Sequence, residues 1–308
     1  MRIQLSPADS TGRRPAFTLL ELVVSISIIG LLAAIVLPAI SMSRQSARRV
    51  SCANNLRQLG VACQNREGTD GYLPWSHRSM LPYVEAGGLA EKYRQAVQHG
   101  VGLPDPELFS GDAVGVFSCP SDGQLATELL MSSYYINGGT TTFAEHDEAL
   151  PRWGRNGMDF PTRVADITDG LSNTAHFSER IAPNNFGGLS SDMRSNDYPV
   201  LDPVASNEEL WVLCDRLVDP TPESVSSIYR TMNGVHLTAP YHHLSPPNSR
   251  PCFESGDGKR NLAPASSQHG NGAQVLTVDG AVRHVSNDID LEVWKAAGTI
   301  NGSESSSF

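Results

Sequence analysis

Hydrophobic positions cluster first in one unbroken stretch. From Leu22 to Ile40 no residue is charged, and those 19 residues suffice to cross a bilayer as a helix. A secretory signal peptide has a shorter apolar stretch and a small-residue cleavage site directly after it. Here the stretch runs on into a helical pattern, which favours a retained membrane helix. Beyond Pro38, apolar residues recur at Met42, Val50, Ala53, Leu56, Leu59 and Cys63, mostly at steps of three or four. Arg44, Arg48, Arg49, Asn54, Arg57 and Gln58 fill the other face. The spacing predicts one long helix, apolar then amphipathic, ending near Gly68 and extending roughly 75 Å at 1.5 Å per residue. Its amphipathic stripe is expected to pack on the protein's own sheet.

Downstream the pattern changes to short apolar runs among glycines and prolines. Residues 114–122 predict a short strand ending in a turn, and residues 132–140 a strand broken at Asn137-Gly138. Residues 165–180 predict turns followed by a strand. Residues 210–218 fit helix or strand. Apolar residues alternate on both sides of Asp279-Gly280 within 272–286, which predicts a hairpin. Residues 288–298 then predict a short helix closing on Gly298. The class expected is α+β, with a long N-terminal helix packed on an antiparallel sheet body carrying loop-rich insertions.

Composition supports this picture: 40% of residues are hydrophobic and 18% charged, with 27 glycines and 20 prolines, which suits a loop-rich β body better than a helical bundle. The net charge is −10, which argues against a nucleic-acid partner. Residues 1–16 carry three arginines against one aspartate, so their removal would leave −12. None of the five cysteines (Cys52, Cys63, Cys119, Cys214, Cys252) forms a CxxC, so zinc ribbons and thioredoxin-like motifs are unsupported. In an exported protein disulfides become plausible, and an odd count leaves one thiol unpaired or bonded between chains. The favoured pairs are Cys214 with Cys252 and Cys52 with Cys119, leaving Cys63 as a small buried hydrophobe; the connectivity stays open. GxSxG, HExxH, Walker and dinucleotide motifs are absent, so no catalytic role and no cofactor is expected. The acidic run 145–148 and His242-His243 are expected to be solvated rather than metal ligands. The acidic body admits calcium, although no EF-hand spacing occurs.

Glu21 stands out, because a carboxylate near the head of an apolar span usually marks function. With Arg13, Arg14, Ala16, Phe17 and Pro38 around it, the segment resembles a type IV prepilin signature. That resemblance implies a basic leader over 1–16, cleavage by a prepilin peptidase between Ala16 and Phe17, N-methylation of Phe17, and Glu21 as the fifth mature residue. Ala16 departs from the glycine usual before the cut. Pro38 becomes the twenty-second mature residue, where many pilins bend; there it would remove a backbone hydrogen bond and bend or locally melt the helix. The expected organisation is leader 1–16, transmembrane half-helix 17–40, amphipathic half-helix 41–68 and an extracytoplasmic body over 69–308. Flanking arginines on both sides leave the positive-inside rule balanced, so the resemblance supplies the orientation: N-terminus cytoplasmic, body outside a bacterial inner membrane. Partners implied are other pilin or pseudopilin subunits, the secretion assembly platform and the lipid bilayer.

A second resemblance covers most of 17–300. The ordered pieces 52–60, 117–122, 169–174 and 241–252, then His269, nine residues and Asp279-Gly280, are similar to a bacterial family of unknown function that follows a prepilin leader. It implies a pilin-like body and no assigned activity. His269 is expected to cap a strand, and Asp279-Gly280 to make the turn. The expected role is a structural subunit of a type II secretion or type IV pilus-like filament. The alternative is an extracytoplasmic ligand- or glycan-binding module that uses the helix only as an anchor.

Overall fold

The computed structural model describes residues 18–74, 76–98, 114–122, 132–140, 152–153, 159–160, 162–181, 194, 198–200, 206–216, 240–254 and 261–302. The chain divides into two compact units, Met1–Ser46 and Ala47–Phe308.

Helix α1 is continuous over Leu19–Asp70. It ends two residues beyond the expected stop, where Gly71 adopts φ +77° and its N–H donates to the Glu67 carbonyl at 2.7 Å. A left-handed residue closing the last turn in this way is a common helix stop. Pro38 lies inside the helix, which remains helical at and around it, so the expected local melting does not occur. A single proline removes one ladder bond, and the flanking turns keep the rest. In the first unit Leu22, Ile28, Leu31 and Ile35 are each more than half exposed, and no part of the apolar stretch is buried.

The second unit is built around a four-stranded antiparallel sheet. Its strands are β1 (Tyr134–Ile136), β4 (Ala175–Glu179), β8 (Ala273–Thr277) and β9 (Val282–Val285), in the order β1-β4-β8-β9. Both faces are covered. On one side, Cys52, Leu56, Leu59 and Cys63 of α1 pack on Tyr134, Ile136, Phe177 and Leu276. On the other, Trp294 and Ala297 of the helix Leu291–Gly298 join Tyr135, Ala175, Val275 and Tyr241. Residues on successive strand positions therefore meet different layers, as the two-residue period requires. Ala175 and Phe177 share parity yet face opposite layers, because a bulge at His176 sets two residues against one between β4 and β8. The bulge turns Phe177 and Glu179 toward α1.

Smaller elements complete the body. Strands β2 (Arg152–Trp153) and β3 (Asp159–Phe160) form a two-stranded pair. Strands β5 (Tyr198–Val200), β6 (Cys252–Glu254) and β7 (Asn261–Leu262) make a three-stranded sheet. Helices α2 (His77–Met80) and α3 (Gly87–Gln98) follow α1, and α4 covers Asn207–Arg216; Leu291–Gly298 is α5. The strand expected over 114–122 is instead a 3-10 turn at Gly115–Phe117 followed by a turn through Pro120. Its backbone is pinned from the side, with the Ser133 N–H donating to the Phe117 carbonyl at 2.8 Å. The ambiguous segment 210–218 is helical from Asn207 to Arg216: Leu210 and Cys214, four apart, are the buried pair.

Candidate functional site

Two places concentrate the residues that the sequence singles out. The first is the start of α1. Thr18 is its N-cap: its N–H and its hydroxyl each donate to Glu21 Oε2 at 2.9 Å, and its Oγ1 accepts the Glu21 N–H at 3.2 Å. This reciprocal pair is a capping box, and it places the carboxylate at the positive end of the helix dipole. Ser25 and Ser27 donate to the carbonyls of Glu21 and Val23, each at 2.7 Å, so the hydroxyls inside the apolar stretch are satisfied locally. The result is an apolar rod with one acid at its head. Ala16 and Phe17 lie outside the described residues, as does the acidic run 145–148.

The second place is the interior of the body beneath α1. Cys52 of α1 is bonded to Cys119, and Cys214 of α4 to Cys252 of β6. Cys63 is a buried free thiol, and burial pushes its pKa far up, which leaves it unreactive. Beside the first disulfide, His269 Nε2 lies 3.3 Å from Glu179 Oε1 and 3.4 Å from Cys119 Sγ. Glu179 Oε2 accepts the Gln274 N–H at 2.9 Å. Both side chains are almost wholly buried. His269 is therefore an interior residue tied to an acid, rather than the strand cap expected of it.

Asp279 has a different job at the far end of β8. Its Oδ1 accepts the Ala281 N–H at 3.1 Å and the Thr277 hydroxyl. The Thr277 carbonyl accepts the Gly280 N–H, and the Thr277 N–H donates to the Ala281 carbonyl, both at 2.9 Å. Val278 and Asp279 are thus the central pair of the turn, and Gly280 at φ +91° follows as the left-handed residue. The sequence suggested Asp-Gly as the central pair; the turn is one residue longer. Helix α1 sits close to it, since Gln64 donates to the Asp279 carbonyl at 3.2 Å. A Cβ at Gly60 would lie 3.0 Å from Leu276 Cδ1 and 3.5 Å from Gly280 Cα. His269 and Asp279 lie at opposite ends of β8 and form no joint centre.

His242 and His243 are both fully buried rather than solvated. His243 Nδ1 lies 2.7 Å from the Trp294 carbonyl, Nε2 lies 3.0 Å from the Tyr241 hydroxyl, and the ring stacks on Trp294 at 3.9 Å. Burial lowers its pKa to about 3, so it is a neutral structural imidazole. Burial likewise holds His176, at the bulge, to about 4.

Asn248 escaped the sequence reading. At φ +63° its Nδ2 donates to the Gly272 carbonyl at 3.2 Å and to Asn287 Oδ1 at 2.8 Å, while its Oδ1 accepts the Ser267 N–H at 2.8 Å. It ties the 246–250 loop to the segment that carries His269. Asn is the non-glycine residue most at ease in this conformation, which is the one signal that could have marked it. An open groove between α1, α3 and residues 114–116 has small apolar walls and one carboxylate, Glu85, and brings no reactive groups together.

Two family profiles match the chain. The profile described as a prokaryotic N-terminal methylation motif matches residues 12–37. The profile described as protein of unknown function (DUF1559) matches residues 42–292. No curated protein and no solved structure matches the chain. A membrane-anchoring helix headed by a prepilin-type signal thus leads into a body that the second profile spans almost completely, and the chain belongs to the DUF1559 family of proteins of unknown function.

Proposed function

We propose that the protein is a pilin-like structural subunit of a type II secretion or type IV pilus-like filament. A prepilin peptidase cuts between Ala16 and Phe17, Phe17 is N-methylated, and α1 holds the subunit in a bacterial inner membrane. The N-terminus faces the cytoplasm, the body lies outside, and the subunit catalyses no reaction. The observation that carries this reading is Glu21: one carboxylate, hydrogen-bonded by the N-cap Thr18, at the head of an exposed apolar helix behind a methylation motif. In lipid that charge needs a partner, and the α-amine released at Phe17 of a neighbouring subunit supplies one. Pairing removes two isolated charges at once, which couples processing to assembly.

Mass spectrometry of the purified protein tests the first step and should find N-methyl-phenylalanine at position 17. A chain that retains Met1, or begins well beyond Ile40, overturns it. Glu21→Ala tests the second. It should leave processing intact and abolish recovery of the subunit in sheared filaments, whereas a ligand-binding module on a simple anchor would be indifferent to the change.

A further inference from the structure

We propose that Cys52, Cys119, Glu179 and His269 form a site for a zinc-class divalent ion whenever Cys52 and Cys119 are reduced, so that this position holds either a disulfide or a metal. The inference concerns the body alone and does not depend on how the anchor is used.

The geometry is the argument. Four segments distant in sequence deliver one ligand atom each: α1, the turn after Gly115–Phe117, the end of β4 and the stretch before β8. Those atoms all lie within 4.8 Å of one another, and all four residues are buried. Around a tetrahedral zinc with metal–ligand bonds of 2.0–2.3 Å, neighbouring ligand atoms stand roughly 3.3–3.8 Å apart. The observed separations are 3.3 Å for His269 Nε2 to Glu179 Oε1, 3.4 Å for His269 Nε2 to Cys119 Sγ and 4.0 Å for Cys119 Sγ to Glu179 Oε1. Three of the six edges are therefore already close to those of a metal polyhedron. The two sulphurs are bonded as a disulfide and, once reduced, would have to move apart to roughly 3.8 Å, the spacing of two thiolates on one zinc. With the two Cα atoms 5.0 Å apart, side-chain rotation can supply that.

The donor set also fits. Two thiolates, a carboxylate and a neutral imidazole suit a borderline-soft ion and disfavour calcium or magnesium. The Gln274 N–H on Glu179 Oε2 fixes the carboxylate, leaving Oε1 turned inward. His269 turns Nε2, the nitrogen nearest the other three ligand atoms, toward Glu179 Oε1 and Cys119 Sγ, so the imidazole already faces the centre of the set. The β4 bulge matters here, because without it Glu179 would face α5.

The chemistry balances simply. A dithiol reductant delivers two electrons and two protons to the S–S bond, giving two thiols and the oxidised dithiol as its own cyclic disulfide. Metal binding then releases those two protons to solvent. A chain exported before oxidation needs no reductant.

The test uses the full-length chain in detergent under anaerobic conditions, with Cys63, Cys214 and Cys252 replaced by Ala. After reduction, Co(II) should bind stoichiometrically with thiolate-to-metal absorption and the intense visible bands of tetrahedral cobalt, and Zn(II) should displace it. The oxidised sample should show neither, and His269→Ala and Glu179→Gln should each weaken binding by more than about tenfold. No thiolate absorption after reduction, or undiminished affinity in both variants, overturns the proposal. A second measurement needs no variant. When the reduced wild-type chain is reoxidised in air, Zn(II) should delay the Cys52–Cys119 bond and spare Cys214–Cys252, each followed by peptide mass spectrometry. Equal rates with and without zinc, or an equal delay of both bonds, also refute it.

Discussion

At the scale of single residues, Gly60 and Gly280 bring α1 onto the hairpin turn for different reasons. At Gly60 the limit is space: a Cβ would sit 3.0 Å from a Leu276 methyl, which can move a little. Alanine also favours helix by about 1 kcal/mol over glycine, so Gly60→Ala should be nearly neutral. Gly60→Leu should cost about 1–3 kcal/mol through overpacking. At Gly280 the limit is the backbone: φ +91° penalises any Cβ, which would also meet Gln64 Nε2 at 2.9 Å. Gly280→Ala should cost about 1–2 kcal/mol despite its small size. The urea midpoint of Gly60→Ala should stay near that of the parent chain while those of Gly60→Leu and Gly280→Ala fall, and an equal loss for Gly60→Ala and Gly280→Ala would refute the distinction. Single residues were also where the sequence was least informative. His269 was visible as a motif member, but its partner Glu179 lies far away in sequence, at the end of β4, and is aimed by a bulge that no local pattern announces. Asp279 and Gly280 were legible as a turn because the atoms that make the turn belong to neighbours in sequence.

Among the elements, α1 carries two separate designs in one helix. Its first half exposes its leucines and isoleucines; its second half buries Cys52, Leu56, Leu59 and Cys63 at helical spacing. Both halves were readable, since a missing charge and a three-to-four step are local properties. The hairpin β8–β9 and helix α5 were readable for the same reason, the latter helped by Asp290, whose carboxylate accepts the N–H groups of Glu292 and Val293. Residues 114–122 misled because alternation of Val114, Val116 and Ser118 mimics a strand, whereas the disulfide at Cys119 and the hydrogen bond from Ser133 to Phe117 impose a turn. That disulfide closes a span of 67 residues from α1 to the turn. By the loop-entropy relation its removal should destabilise the body by about 4 kcal/mol. Cys52→Ala with Cys119→Ala should lower the unfolding free energy by that order in denaturant titration, and a loss under about 1 kcal/mol would show that packing alone fixes the helix on the sheet.

For the whole body, stability should depend on pH through its buried imidazoles. His176 and His243 are held neutral, with pKa values of about 4 and about 3 against an ordinary value near 6.5. Above pH ~6.5 neither state of the chain binds these protons, and the folded state is unpenalised. As pH falls below that value the unfolded chain protonates first, so stability drops progressively toward pH 4 and then 3. His176 alone should contribute on the order of 3 kcal/mol to that loss. Urea midpoints should fall between pH 7 and 4, and His176→Phe should flatten part of the slope; an unchanged slope would mean another group dominates. This global property was not legible in the sequence, where His242 and His243 read as a surface cluster. Their burial follows from Tyr241 pairing with Asn137 and from Trp294 stacking on His243, contacts made across the whole body.

The bond between Cys52 and Cys119 also has a mechanical meaning. If a tug arrives along the stem, α1 can lift from the sheet only as far as Cys52, where the covalent bridge hands the load to the turn at Cys119. Residues 53–118 then lie inside a closed ring that tension cannot lengthen. While the bridge stands, the helical face that carries Leu56, Leu59 and Gly60 is spared the pull, and the strain passes instead to the segment leading into β1.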